Sequence, residues 1–222
     1  MRNSLVPALV FSCGGVALIP AVLSGQAPAD SAVFSVLHGG DTVAVEHFAR
    51  EGHELRGELL EVVGDRQRTR YRATLLDDAT APLIEFSVWH GDDPATSLAS
   101  ARKSGRVIFK GDSAAVDEAD WAGGLRTFML GTEGGAVPYL NLSFAFLEQA
   151  IRRAQTLARD SVMVPFFNLG GGQTVDGSVV REGTDSTLVR IGRVEFRLRV
   201  DPAGRILGGA IPTQSLMVTR TP

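Results

Sequence analysis

The sequence predicts an α+β domain, mostly β: a curved antiparallel, half-barrel-like sheet packed around one long helix at about residues 141–158. Three observations lead there. Apolar and polar residues alternate in short runs separated by Gly, Asp and Pro turns, the pattern of a half-buried antiparallel sheet. Ala136 to Asp160 alone carries a helical period, with Leu140, Phe144, Leu147, Ile151, Ala154 and Ala158 at steps of four and three. After it the alternating runs resume to the C-terminus.

In chain order, Val33–His38 and Thr42–Arg50 flank Gly39-Gly40-Asp41, a strong hairpin signal. Glu54–Val63 is the next strand and ends at Gly64-Asp65. Arg66–Leu76 sets Arg68, Arg70, Arg72 and Thr74 on one face against Thr69, Tyr71, Ala73 and Leu75. Leu83–His90 places Ile84, Phe86 and Val88 together, with Glu85 and Ser87 opposite. Gly91-Asp92-Asp93-Pro94 is a loop, and Arg106–Lys110 and Ala114–Glu118 are short strands around Gly111-Asp112-Ser113. Residues 119–136 carry no readable period.

The helix follows. Asn141 or Ser143 is placed to cap it, and no Glu or Gln completes a capping box with either. Leu147 and Ile151 are expected to face the sheet, while Glu148, Gln149, Arg152, Arg153 and Thr156 fall on other faces. Ser161–Leu169 is apolar on both alternating faces, so a central strand covered on both sides is expected. Thr174–Arg181 and Thr187–Arg193 come next. Arg193–Val200 directs Val194, Phe196, Leu198 and Val200 inward and Glu195, Arg197 and Arg199 outward. A Pro-bearing turn at Asp201-Pro202-Ala203-Gly204 leads into Arg205–Ile211 and Gln214–Arg220.

The N-terminal segment reads as a secretory signal peptide, residues 1–29. Arg2 is followed by an uncharged apolar run from Ser4 to Leu23 and then by small residues at Ser24, Gly25, Ala27 and Ala29, with cleavage between about 25 and 29. Gly14, Gly15, Pro7 and Pro20 interrupt the run, which argues against a retained anchor. No transmembrane segment is expected after its removal, and the compartment is periplasmic or extracellular. The lone cysteine, Cys13, belongs to this segment, so disulfide, thiol and cysteine-metal chemistry are excluded from residues 30–222, read as a single domain. Without Arg2 the chain has 21 basic and 25 acidic residues, net −4, which argues against nucleic-acid binding.

No motif supplies a reaction. His38, His47 and His53 lie near Glu46, Glu51 and Glu54, but on strands and turns that point different ways, so no metal site is read from them. His38-Gly39-Gly40 has no Gly-x-Ser-x-Gly partner, and Gly170-Gly171-Gly172 is followed by a strand pattern rather than a phosphate-binding helix. The Asp77-Asp78, Asp92-Asp93 and Asp117-Glu118 pairs lie in turns and are read as solvated. No catalytic residue and no cofactor is expected.

The signal, the strand runs around one helix and the late Val200-Asp201-Pro202-Ala203-Gly204-Arg205-Ile206-Leu207 hairpin give a layout over residues 33–220. That layout resembles the secreted, lipoprotein-carrier-like half-barrel domains of the bacterial envelope and uncharacterised domains of similar design. The resemblance implies an open apolar cavity for a lipid-like ligand or an envelope protein partner. Residues from the apolar faces are the candidate lining: Tyr71, Ile84, Phe86, Val88, Leu147, Ile151, Phe166, Phe196 and Leu198. Ordinary core packing is the competing explanation for the same side chains. The leading functional expectation is a non-enzymatic binding module, a carrier of an apolar ligand. Its alternatives are an enzyme with a dispersed site and an outer-membrane assembly partner that adds a strand to a sheet edge.

Overall fold

The computed structural model describes residues 30–64, 66–90, 100–120 and 122–222. The segment read as a signal peptide, Asp92-Asp93 and Trp121 lie outside them. The described chain forms β1 (Asp30–His38), β2 (Asp41–Glu51), β3 (Glu54–Glu61), β4 (Gln67–Thr74), β5 (Leu83–His90), β6 (Lys103–Lys110), β7 (Ser113–Asp120), β8 (Leu125–Gly131) and β9 (Val137–Tyr139). The helix α1 (Phe144–Thr156) follows. After it come β10 (Ser161–Asn168), β11 (Thr174–Arg181), β12 (Ser186–Ile191), β13 (Val194–Val200), β14 (Ile206–Ile211) and β15 (Leu216–Thr221).

All the strands belong to one 15-stranded sheet in the order β8-β7-β6-β5-β4-β3-β2-β1-β15-β14-β13-β12-β11-β10-β9. The first eight strands run outward as a meander, and the last six meander back until β15 pairs with β1, setting Phe34 opposite Arg220. The β9–α1–β10 unit is the one crossover, so β9 and β10 are parallel, with Phe166 opposite Val137. Both sheet edges therefore come from the middle of the sequence. They approach each other as the sheet curls, and Thr174 Oγ1 donates to Thr132 Oγ1 at 2.8 Å across the seam. Phe109 and Phe167 meet edge to face there at 5.2 Å. No backbone ladder joins β8 to β9, so the sheet is curved but not closed.

The helix lies on the concave side. Phe144 packs on Phe34 and Phe196, with ring centroids 5.5 and 6.4 Å away, and Phe146 lies 4.7 Å from Tyr71. It is shorter than the period implied, because Ser143 caps it and Ala158 has a left-handed backbone, φ 50°. Leu147 and Ile151 are buried, as their stripe requires, but Glu148 and Gln149 are buried as well. A helix inside a curled sheet meets side chains on nearly every face, so its polar face carries ion pairs instead of water. Arg50 donates to Glu148 at 3.1 Å, Arg220 bonds the same carboxylate and reaches Asp30 at 2.6 Å, and Arg152 lies 3.3 Å from Asp30.

Two further expectations change. The first residues of the Ala136–Asp160 helical period form the short parallel strand β9 instead. β10 is covered on both faces only near its end, where Phe166 and Phe167 are both buried; Met163 near its start is exposed. Residues 119–136 hold the end of β7, all of β8 and the turn into β9.

Candidate functional site

Two glycines shape the inner wall of the sheet beneath its aromatic rings. Gly57 stands opposite Tyr71, and Gly105 opposite Phe86. A Cβ at Gly105 would lie 2.5 Å from Phe86 Cζ, and one at Gly57 would lie 2.9 Å from the His47 carbonyl and overlap the Tyr71 hydroxyl. With hydrogen in place of those methyl groups, each ring lies flat over its neighbouring strand.

That position lets Tyr71 reach the most buried acid on β2. Glu46, with 0% of its surface exposed, accepts from Tyr71 Oη at 2.7 Å and Ser143 Oγ at 2.5 Å through Oε1. Its Oε2 accepts the N–H groups of Phe144 at 2.7 Å and Ala145 at 3.0 Å. Ser143 Oγ in turn accepts from Phe146 N at 3.4 Å. These are the free amides of the first helical turn, so a carboxylate from a distant strand meets the positive end of the helix dipole. Burial pushes the Glu46 carboxyl up from the ordinary glutamate value, against the opposing pull of these hydrogen bonds. Burial and the adjacent Glu46 raise the Tyr71 hydroxyl well above its usual range. The cluster is closed to solvent and anchors the helix.

The far end of α1 covers the strand ends at the β4–β5 turn, where Arg153 reaches the carbonyl of Asp78 at 2.9 Å and Gln149 donates to Ala79 O at 2.7 Å. At the opposite ends of the strands a cavity of about 420 Å³ remains. Its apolar surface comes from Tyr71, Phe86, Val88, Leu140 and Leu169. Its polar rim comes from the strand termini: Glu61 ends β3, Gln67 begins β4, Lys103 begins β6, and Glu118 and Arg126 face each other across β7 and β8. Lys103 Nζ lies 2.6 Å from Glu118 and 5.8 Å above the Phe86 ring. The volume falls in the range of small-molecule sites, and the design, an apolar wall with a few convergent polar groups, is that of a binding pocket.

Of the nine candidate lining residues, Tyr71, Phe86 and Val88 line this cavity. Ile84, Leu147, Ile151, Phe166, Phe196 and Leu198 are buried in the packing between sheet and helix. Sequence reasoning passed over Leu140, Leu169 and the charged rim, because inward-facing charges on strand ends read as solvent-facing until the strand register is known. Of the three larger depressions among the described residues, the two largest differ from it in character. One of about 880 Å³ on the outer wall is crossed by the Arg106–Asp117 pair at 2.6 Å; one of about 960 Å³ lies beside the C-terminal part of α1, between Arg152 and His53. Among the described residues no group of three or more His, Cys, Asp or Glu side chains is arranged to hold a metal, and no helix is long and apolar enough to cross a membrane.

Among the described residues, fold and cavity together define a barrel-like, incompletely closed and mostly antiparallel sheet with an internal helix and a cavity at one end of its strands. Solved structures of this class exist. The chain is similar to a DUF1089 family protein from Pseudomonas aeruginosa, with a TM-score of 0.55 and 15% identity over 78% of this chain and 91% of that one. It is also similar to a beta-barrel-like protein of the domain of unknown function DUF1849 from Brucella abortus, with a TM-score of 0.53 and 9% identity over 87% of this chain and 95% of that one. At these identities the likeness is one of fold alone. No protein-family model matches the chain, and no curated protein matches it significantly.

Proposed function

We propose that the chain is an exported, non-enzymatic binding module that holds an apolar, lipid-like ligand in the open mouth of its curled sheet. The cavity carries this reading: an apolar wall of Phe86, Val88, Leu140 and Leu169 next to a charged rim suits a molecule with an apolar body and a polar end. Each methylene buried there contributes roughly 0.8 kcal/mol. Export rests on the Arg2, Ser4–Leu23 and Ala29 pattern, and the resemblance to envelope carriers on layout. Native mass spectrometry of protein taken from its own envelope should show an adduct that organic extraction removes. Val88→Trp, which fills the cavity, should abolish uptake of a fluorescent alkyl probe. An empty protein that takes up no such probe would remove the reading.

One observation favours a second reading, assembly by strand addition. β9 is blunted by its length of three residues and by Pro138, whereas the edge strand β8 is seven residues long and exposes Leu125 (70%) and Met129 (59%). Concentration-dependent association lost in Thr127→Pro would support this reading. A monomer at all concentrations, with freely exchanging β8 amides, would oppose it.

A further inference from the structure

The polar groups at the cavity mouth are unequally committed. Glu118 is shared by Lys103 at 2.6 Å and Arg126 at 3.9 Å. Asp120 accepts the N–H groups of Ala122 and Gly124, both at 3.0 Å, and Arg102 Nη1 lies 3.5 Å from His90 Nε2. Glu61 differs: among the described residues it has no hydrogen-bond or ion-pair partner. It lies on the inner face of β3, two residues beyond Leu59, which stands opposite the inward-facing Thr69, and its side chain lines the cavity.

Glu61 is also partly withdrawn from water, and that burial raises its carboxyl above the ordinary glutamate value. A half-buried carboxylate without a partner is costly, and among the described residues no side chain offsets the cost. Lys103 and Arg126 are grouped around Glu118, on the β6–β8 side, and Arg102 lies beside His90, while Glu61 stands apart from all three at the end of β3. A ligand lying along the apolar wall therefore meets an unanswered acceptor at one place on the rim.

We propose that Glu61 selects the polar end of the ligand, and that the amphiphile held in this cavity carries a protonated amine seated on the Glu61 carboxylate. The inference rests on the reading of this cavity as a ligand site. It sets a direction that the apolar wall alone does not: a cationic head is preferred to a neutral one, and a neutral head to an anionic one. The ammonium supplies the charge-assisted hydrogen bonds that Glu61 lacks in the free protein.

The test uses the folded chain and three probes of one tail length, dodecylamine, dodecanol and laurate, each below its micellar concentration at neutral pH. Binding is read by displacement of a fluorescent alkyl probe. Dodecylamine should bind about tenfold more tightly than dodecanol, and laurate most weakly. Glu61→Gln should bring dodecylamine to within about twofold of dodecanol while leaving dodecanol unchanged, and Glu61→Lys should place laurate first. Laurate binding as tightly as dodecylamine in the unaltered chain, or an amine preference that survives in Glu61→Gln, would overturn the role of Glu61 while leaving the cavity as a ligand site. Failure of all three probes to bind, or binding that persists in Val88→Trp, would overturn the cavity reading and this inference with it.

Discussion

Glu46 accepts the backbone N–H of Phe144 at 2.7 Å, a bond between residues 98 positions apart that joins β2 to the first turn of α1. It is the counterpart in space of a capping box that the local sequence lacks. Ser143 supplies the serine, and the acid comes from another element. Glu46→Ala should strand two helix amides and the Tyr71 hydroxyl in a dry interior, at a cost of about 3–5 kcal/mol by chemical denaturation. Glu46→Gln keeps one carbonyl acceptor and should cost less, about 1–3 kcal/mol. Equal stability of Glu46→Ala and the unaltered chain would show that the carboxylate does not hold the helix.

Glu46 also sets a pH dependence. Its folded-state carboxyl lies above the ordinary value of 4.5, so the folded protein holds this proton more tightly than the unfolded chain. The resulting stability is fully present below that ordinary value and is lost as pH rises through the folded-state value. Urea unfolding from mildly acidic to neutral pH should show this downward component, and Glu46→Gln should lack it. Glu148 is displaced in the same direction by burial, against the pull of Arg50 and Arg220, so part of the slope should survive the substitution. An unchanged slope in Glu46→Gln would assign the whole effect elsewhere.

The buried face of α1 is wider than its apolar stripe. Ile151→Asp should place an unpaired carboxylate in the core and cost several kcal/mol, on the order of total stability. Arg152→Asp is not the mild change that a solvated face would permit, because it sets a third acid beside Asp30 and Glu148. It should cost roughly 1–3 kcal/mol, and Arg159→Ser, past the helix end, should cost nothing measurable. Thermal unfolding of the three variants checks that order.

Gly57 and Gly105 should resist substitution for a steric reason. Gly57→Ala drives a methyl group into the Tyr71 ring and breaks its reach to Glu46, at about 2–4 kcal/mol. Gly105→Ala should instead lift Phe86 into the cavity and weaken alkyl-probe uptake more than it weakens the fold. Similar losses of stability and uptake in both variants would separate Phe86 from the site.

Export is checked directly. N-terminal sequencing of the secreted chain should begin between Gln26 and Asp30. An intact Met1 form held in the inner membrane, or lipid on Cys13, would contradict the signal peptide.

The sequence by itself determined the local architecture. Alternation with period two located nearly every strand to within a few residues, and Leu147 and Ile151 marked the buried stripe of the helix, because side-chain direction within one element follows from backbone geometry alone. Strand addition order, the seam and the site came from tertiary structure. β8 carries no clear alternation, since it is an edge with exposed Leu125 and Met129 on one side, and β9 is three residues around a proline. Whether an inward apolar residue becomes core or cavity wall depends on whether the helix covers it: Phe196 meets Phe144, while Val88 lies beyond the helix and faces the open mouth. The same holds for charge. Glu46, Glu61 and Glu148 are all glutamates on amphipathic elements, and only the curl of the sheet decides that Glu46 caps a helix, Glu148 binds two arginines and Glu61 lines a cavity. Pairing between residues far apart in the chain is a property of the folded surface, so no local pattern encodes it.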